Sequence, residues 1–291
     1  MMIKAYLAVF SAILVWSNAF IAIKIALKEL DPFELAAARF VPLVPFYLSY
    51  AFVLRRKQSL HLLKSEPVKL IAAALFLIPI YSWLLYKGQE KIAPALTALL
   101  VGSSPILSYF LAIFSGQEKF RWSTLAGIAC AFLGLSIALW PELGPGSPII
   151  NRLYLLCIFG ASLSSSVSSV VNHSILKRHS PMTLLALAVP LGCLPLLSAI
   201  TPELFLKLPR LSPNVWAAIL FLSILCTIWG FYAWFYGLEK LPASNVVVFL
   251  NLVPIFAMLS GRAFFNEPLT LPLAAGGALV IAGVYQTTRK R

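Results

Sequence analysis

The sequence predicts an all-α integral membrane protein, with ten transmembrane helices arranged as two inverted five-helix repeats. Three observations predict it. Of 291 residues, 60% are hydrophobic and only 11% are charged, whereas a soluble domain carries about 25% charged residues to wet its surface. The 23 basic and 10 acidic residues fall in short clusters, separated by apolar runs of roughly 18 to 24 residues, long enough as helix to cross about 30 Å of hydrocarbon. Finally, the residues that punctuate helices recur at a fixed offset of 149 positions. A water-soluble enzyme and a free nucleic-acid binder are thereby excluded. The net charge of +13 is of the kind that reports topology, because lysine and arginine gather beside membrane spans.

Taken in order, the first apolar run, Ala5 to Leu27, lacks a small-residue cleavage pattern and leads straight into further spans, so it reads as a retained helix and not a signal peptide. Further runs follow at about 33–54, 68–86, 93–115, 122–140, 151–173, 182–200, 215–237, 243–262 and 271–288, each bounded by charge, proline or glycine. The longest hydrophilic link, Arg55 to Pro67, is too short to form a domain. Ten crossings put both termini on one side. That side collects Lys4, Arg55, Arg56, Lys57, Lys64, Lys69, Lys119, Arg121, Lys177, Arg178, Lys240, Arg289, Lys290 and Arg291, 14 basic residues against eight opposite, with Arg39 left inside a span. The positive-inside bias places both termini in the cytoplasm, in a plasma membrane of the bacterial inner-membrane type. Cys130, Cys157, Cys193 and Cys226 each fall in a different span without metal-ligand spacing, and read as small packing residues.

Shifting the chain by 149 residues lays Pro32 on Pro181, Glu90-Lys91 on Glu239-Lys240, and Pro105-Ile106 on Pro254-Ile255. In the same register Glu118 falls on Glu267, Ala126-Gly127 on Ala275-Gly276, and Gly134 on Gly283. These residues set helix ends, bends and close contacts, so the pattern marks a duplication, with repeats at 1–142 and 149–291. An odd number of spans in each copy inverts the second in the membrane. Inverted repeats are a transporter arrangement, with the substrate site near the midplane between the halves.

Helix one carries Trp16-Ser17-Asn18-Ala19-Phe20, then Ile23-Lys24, and helix two opens with Pro32-Phe33-Glu34-Leu35 and Ala38-Arg39-Phe40. Ser104-Pro105-Ile106 leads to Gly116-Gln117-Glu118, and its twin, Val253-Pro254-Ile255, leads to Asn266-Glu267-Pro268. The chain resembles, over nearly its whole length, the EamA-type branch of the drug/metabolite transporter superfamily. The resemblance implies a ten-helix bundle, alternating access and the export of amino acids or other small metabolites. The second copy lacks the Trp-Ser-Asn signature and has a serine run, Ser164-Ser165-Ser166, at about that register, with Val167 as the twin of Asn18, which bears on substrate more than on fold.

Candidate working residues follow from their chemistry. Pro105 and Pro254 lack an N–H, so the carbonyls of Val101 and Leu250, four residues earlier, lose their usual partners. Pro42 and Pro190 form a second near-symmetric pair of hinge candidates. Ser103, Ser104, Asn245 and Asn251 lie nearby in sequence. Trp16, Ser17 and Asn18 are candidates to line a polar cavity, in which Asn18 could satisfy both acceptor and donors. Ser166 is the helix-six candidate, although small serines also serve close packing. Trp83 and Tyr232, register twins, are the expected pocket aromatics, while Tyr86 and Tyr236 read as interfacial belt.

Among charges, Arg39 has three uses open: snorkelling, pairing with Glu34, or attracting an anion. Lys24 and His173 occupy twin positions at opposite mouths. No carboxylate stands near the centre of a span, which disfavours an exporter that holds organic cations there. The expected function is a secondary transporter exporting amino acids or related metabolites, with no cofactor, no metal and no nucleic-acid partner. Its partners are a small-molecule substrate and the bilayer. A multidrug or nucleotide-sugar carrier is the alternative. An intramembrane enzyme, lacking HExxH, GxSxG or any other catalytic spacing, and a transporter-derived sensor stand behind it. Gly127/Gly134 and Gly276/Gly283, two turns apart, give helices five and ten flat stripes for packing or for a homodimer.

Overall fold

The computed structural model describes residues 2–102, 104–116, 122–143, 149–240, 248–266 and 268–289, in which every regular element is helical. Seven helices among them are long and apolar enough to cross a membrane: Ile3–Ala26, Pro32–Leu54, Pro67–Gln89, Pro94–Phe114, Arg152–Leu176, Pro181–Ala199 and Pro213–Trp234. Three shorter apolar stretches, 126–138, 253–265 and 271–283, stand where spans five, nine and ten are expected. Spans are numbered in that order below. A surface helix, Arg56–Ser65, joins the second span to the third.

Proline does much of the local work. Pro32, Pro67, Pro79, Pro94, Pro181 and Pro213 each open a helical segment, where a missing N–H costs nothing because first-turn donors have no intrahelical partner. Within helix two, Pro42 lies in a 3-10 turn, Val41–Leu43, and the helix ends in a π-type turn, Tyr50–Leu54. Pro190 lies inside the α-helix Pro181–Cys193. The duplicated pair behaves differently from a mid-helix kink. Helix four is described as two segments, Pro94–Gly102 and Ser104–Phe114, with Pro105 second in the latter. Pro254 stands in the first turn of Val253–Phe265, after a 3-10 turn, Val248–Leu252. The two prolines therefore mark segment starts. They also mark a crossing, since a Cβ added to Gly102 would lie 2.9 Å from Pro254 Cγ.

Glycine contacts reveal how the halves are related. A Cβ on Gly88 of helix three would meet Ile158 of helix six at 2.3 Å, and one on Gly237 of helix eight would meet Val9 of helix one at 2.1 Å. Gly237 and Ile158 are the 149-residue twins of Gly88 and Val9. The same contact is thus made twice with the halves exchanged, as a pseudo-two-fold axis requires. Helices five and ten repeat the pattern. A Cβ on Gly134 would lie 2.5 Å from the Gly276 carbonyl oxygen, and one on Gly283 would lie 2.4 Å from that of Gly127. The glycine stripes fill each other within one chain. A homodimer through these helices would have to use their outward faces, where Phe132, Leu133 and Trp140 are exposed.

Candidate functional site

Helix two enters the bundle at the end of helix one away from the N-terminus. Its first turn is locked by a capping box: Asp31 Oδ1 accepts the Phe33 and Glu34 N–H groups, and Glu34 Oε2 accepts the Asp31 N–H. Glu34 then pairs with Lys207 at 2.5 Å. That pairing closes one use open to Arg39, which has no carboxylate within 4.0 Å among the described residues. At 1.5 Å per residue, Arg39 lies about 10 Å in from Pro32.

Three helices meet at Arg39. Its Nη1 donates to Tyr86 Oη of helix three at 2.8 Å. Its Nη2 and Nε donate to Thr227 Oγ1 of helix eight at 3.2 and 3.3 Å. The guanidinium also lies 4.6 Å over the Phe40 ring, and Tyr81 and Cys226 are near enough to feel its charge. Enclosed in this way by neutral groups, Arg39 is only partly exposed. Its own carbonyl, beside the Val41–Leu43 turn, accepts Ser223 Oγ at 2.9 Å.

The other half of this geometry is a π-type stretch in helix eight, Phe221–Trp229, a widened turn of the kind often found at functional sites. Thr227 Oγ1 donates to the Leu222 carbonyl five residues back at 2.9 Å, which aims its lone pairs at Arg39. Ser223, one turn earlier, bonds the Arg39 backbone. On the far face of the stretch Trp16 Nε1 donates to the Cys226 carbonyl at 2.9 Å. The indole also packs on Phe231 and Trp234, and Gly230 makes room for it, as a Cβ there would stand 2.5 Å from Trp16 Nε1.

A cleft of about 500 Å³ opens between helices two, seven and eight, walled by Phe46, Tyr47, Met182, Leu185, Ile228 and Tyr232 among others. Tyr47, eight residues beyond Arg39 on helix two, feels its charge. Helix two thus carries both Arg39 and part of the wall of the apolar cleft.

The remaining sequence candidates divide. Tyr232, 52% exposed, lines the cleft and packs on Trp229 and Tyr236. Its twin Trp83 is exposed but outside the cleft wall. Asn18 is satisfied by protein: Nδ2 donates to the Leu14 carbonyl and Oδ1 accepts from Ser260 Oγ. Ser17 is buried and bonds the Ile13 carbonyl of its own helix. Ser166 and Ser104 do come together, Ser166 Oγ donating to the Ser104 carbonyl at 2.9 Å. Ser162 and Ser164 likewise bond the Leu100 and Phe76 carbonyls, so the helix-six serines fasten it to helices three and four.

Lys24 Nζ binds the Gln89 and Glu90 carbonyls at the end of helix three, where a cation suits the helix dipole. Its twin His173 is exposed. Tyr86, expected in the interfacial belt, is fully buried and anchors Arg39. Ser103, Asn245, Glu118 and Glu267, with the side chains of Pro105 and Asn251, lie outside the described residues.

The EamA-like transporter family model matches residues 3–140 and again 152–289. The chain belongs to this family. An uncharacterized transporter of Archaeoglobus fulgidus is 28% identical over 99% of this chain and 100% of its own. A probable amino-acid metabolite efflux pump of Salmonella typhimurium is 26% identical over 94% and 91%. A crystal structure matches with a TM-score of 0.66 at 22% identity, over 98% of this chain and 96% of that one, a likeness of fold. The EamA-like chain is thus a multi-pass membrane transporter and not an enzyme.

In this EamA-like transporter Thr227 is a positioning residue that takes two of the Arg39 hydrogen bonds, and the sequence did not single it out. Thr227→Val removes the hydroxyl at nearly constant volume. Flux in proteoliposomes is expected to fall about three- to tenfold, matching about 1 kcal/mol for a hydrogen bond, with the melting midpoint nearly unmoved. Unchanged flux would separate Thr227 from the site.

Proposed function

We propose that this EamA-like transporter exports small metabolites bearing a carboxylate, amino acids foremost, by alternating access across a plasma membrane of the bacterial inner-membrane type, with both termini in the cytoplasm. The observation that carries the reading is Arg39, a guanidinium about 10 Å along a membrane helix and bonded, among the described residues, only to neutral oxygens. A fixed cation in low-dielectric surroundings is costly unless an anion joins it, and a guanidinium fork matches a carboxylate in both geometry and charge. The name of the Salmonella relative supports amino-acid metabolites. The acidic side chains described, Glu29, Asp31, Glu34, Glu66, Glu90 and Glu203, stand at helix ends or in links, which fits an anionic or zwitterionic substrate better than a cationic drug.

In this mechanism the apolar cleft takes the substrate side chain against Tyr232 while Arg39 takes its carboxylate. Pro42 and Pro190 let helices two and seven bend as the halves rock, and the 14-to-eight excess of basic residues on the terminal side orients the chain. The direct test loads proteoliposomes with labelled amino acids and, in parallel, with their amides and decarboxylated amines. Efflux of the acids is expected to exceed that of both neutralised sets by at least tenfold. Equal efflux of acid and amide would overturn the carboxylate reading.

A further inference from the structure

A second built pocket lies at the terminal side, away from Arg39. It measures about 390 Å³ and is lined by Arg55, Lys57, Gln58, His61, Arg178, His179, Ser180 and Thr183. The surface helix supplies one wall and the link between helices six and seven the other. His179 is only 9% exposed, its ring 5.2 Å from that of His61 and its Nε2 3.4 Å from Ser65 Oγ. Arg55 and Lys57 make no side-chain hydrogen bond among the described residues. Arg178 reaches only Glu66 Oε1, at 3.7 Å, and Glu66 is already held by Lys69 at 2.8 Å.

The pseudo-symmetry shows what is missing here. Under the 149-residue shift, Arg178, Ser180 and Thr183 correspond to Glu29, Asp31 and Glu34, and Gln58 corresponds to Lys207. At the opposite mouth those acidic residues are held by partners within the protein. Glu34 pairs with Lys207, Glu29 accepts the Ser212 N–H at 2.8 Å, and Asp31 caps helix two. At the terminal mouth the Lys207–Glu34 pair is replaced by Gln58 and Thr183, and the acid at position 29 by Arg178. Three permanent cations and two imidazoles thus line the pocket, and the one carboxylate paired with any of them among the described residues is Glu66, outside the lining, at 3.7 Å from Arg178. Burial, and then the neighbouring His61, hold His179 below the usual histidine range.

We propose that this pocket binds a phosphate-type anion, either the headgroup of an acidic lipid or a free phosphate, and that the anion ties the surface helix to the start of helix seven. The guanidinium groups of Arg55 and Arg178 offer paired donors to phosphate oxygens. The Ser180 cap adds the positive end of the helix Pro181–Cys193. Basic pockets beside membrane helices on the cytoplasmic face recognise such headgroups, and the occupant would supply the negative charge that Glu29 and Glu34 supply at the other mouth. The site is independent of the substrate reading.

The test uses the full chain in neutral detergent. In one arm, native mass spectrometry follows retention of phosphatidylglycerol against phosphatidylcholine. In the other, thermal unfolding is followed with inorganic phosphate against chloride at equal ionic strength. The variants are Arg55→Gln with Arg178→Gln together, and Arg262→Gln, an exposed basic residue at the other mouth, as control. Preferential retention of phosphatidylglycerol, a saturable thermal shift with phosphate, or both, is expected. Lipid retention alone assigns a headgroup, and a phosphate shift alone or competing with lipid assigns free phosphate. The double variant is expected to weaken whichever is seen about 25-fold, at about fivefold per basic residue, while the control keeps wild-type binding. Melting of each variant without anion checks its folding. No preference in either arm, or wild-type binding by the folded double variant, would overturn the site.

Discussion

Arg39→Gln is expected to cut the efflux of carboxylate substrates about 30- to 150-fold and to leave that of their amides within about threefold. Charge-assisted hydrogen bonds are each worth about 1.5–3 kcal/mol, and losing about 2–3 kcal/mol of substrate binding corresponds to that range of flux. Glutamine can still donate to Tyr86 or Thr227, so the walls around the position have a partner and the bundle is expected to fold. Arg39→Lys keeps the charge but not the planar fork, and is expected to fall between the two. The pattern across substrates separates a binding role from a structural one. A purely structural arginine would reduce acid and amide efflux in parallel, and that outcome would return Arg39 to the scaffold.

The second large effect is expected at the crossing of helices five and ten. In Gly134→Ala the new methyl would stand 2.5 Å from the Gly276 carbonyl oxygen and 2.7 Å from the Val280 nitrogen. Both atoms are backbone, so no flexible side chain can yield, and the helices must part along their length. Overpacking of this kind costs about 1–3 kcal/mol, and the larger Gly134→Leu is expected to leave no folded protein. Gly283→Ala is its symmetry partner, meeting the Gly127 carbonyl oxygen at 2.4 Å, and should cost about the same. Ser136→Ala, on the exposed face of the same helix, is the control. Melting midpoints in detergent provide the measurement. A Gly134→Ala protein as stable as that control would mean that the two helices do not cross at their glycines.

Much of the fold was legible because the bilayer forces it into the sequence. Spans must be apolar and of a set length, so Ala5 to Leu27 could be read as a helix without knowing what it touches. The glycine stripes were legible for a related reason, since backbones that approach closely need small residues at fixed spacing. Gly88 and Gly237 carry the same signal between helices three and six and between eight and one. The 149-residue shift pairs them, and they stand beside the Glu-Lys pairs that revealed the repeat.

The candidate site was legible only in outline. Trp16, Tyr232 and Arg39 were singled out because large aromatics and charges are rare inside spans. Asn18 and Ser166 were found for the same reason, yet they hold helices together through bonds to neighbouring groups. A polar residue in a span must be satisfied, and sequence alone does not say whether water, substrate or another helix does so. Tyr86 was misassigned because its position near a helix end suits an interfacial residue equally well.

By itself, then, the sequence determined a duplicated, all-helical membrane transporter built from two inverted repeats and the few residues capable of unusual chemistry. Tertiary structure decided which of those residues meet. It gave Glu34 to Lys207 and so left Arg39 to Tyr86 and Thr227, and it widened helix eight at Phe221–Trp229 to aim that threonine. The reason is physical. Apolar length and small-residue spacing are properties of one helix, whereas a charge's partner depends on the rotation and register of three helices, and no local pattern encodes these.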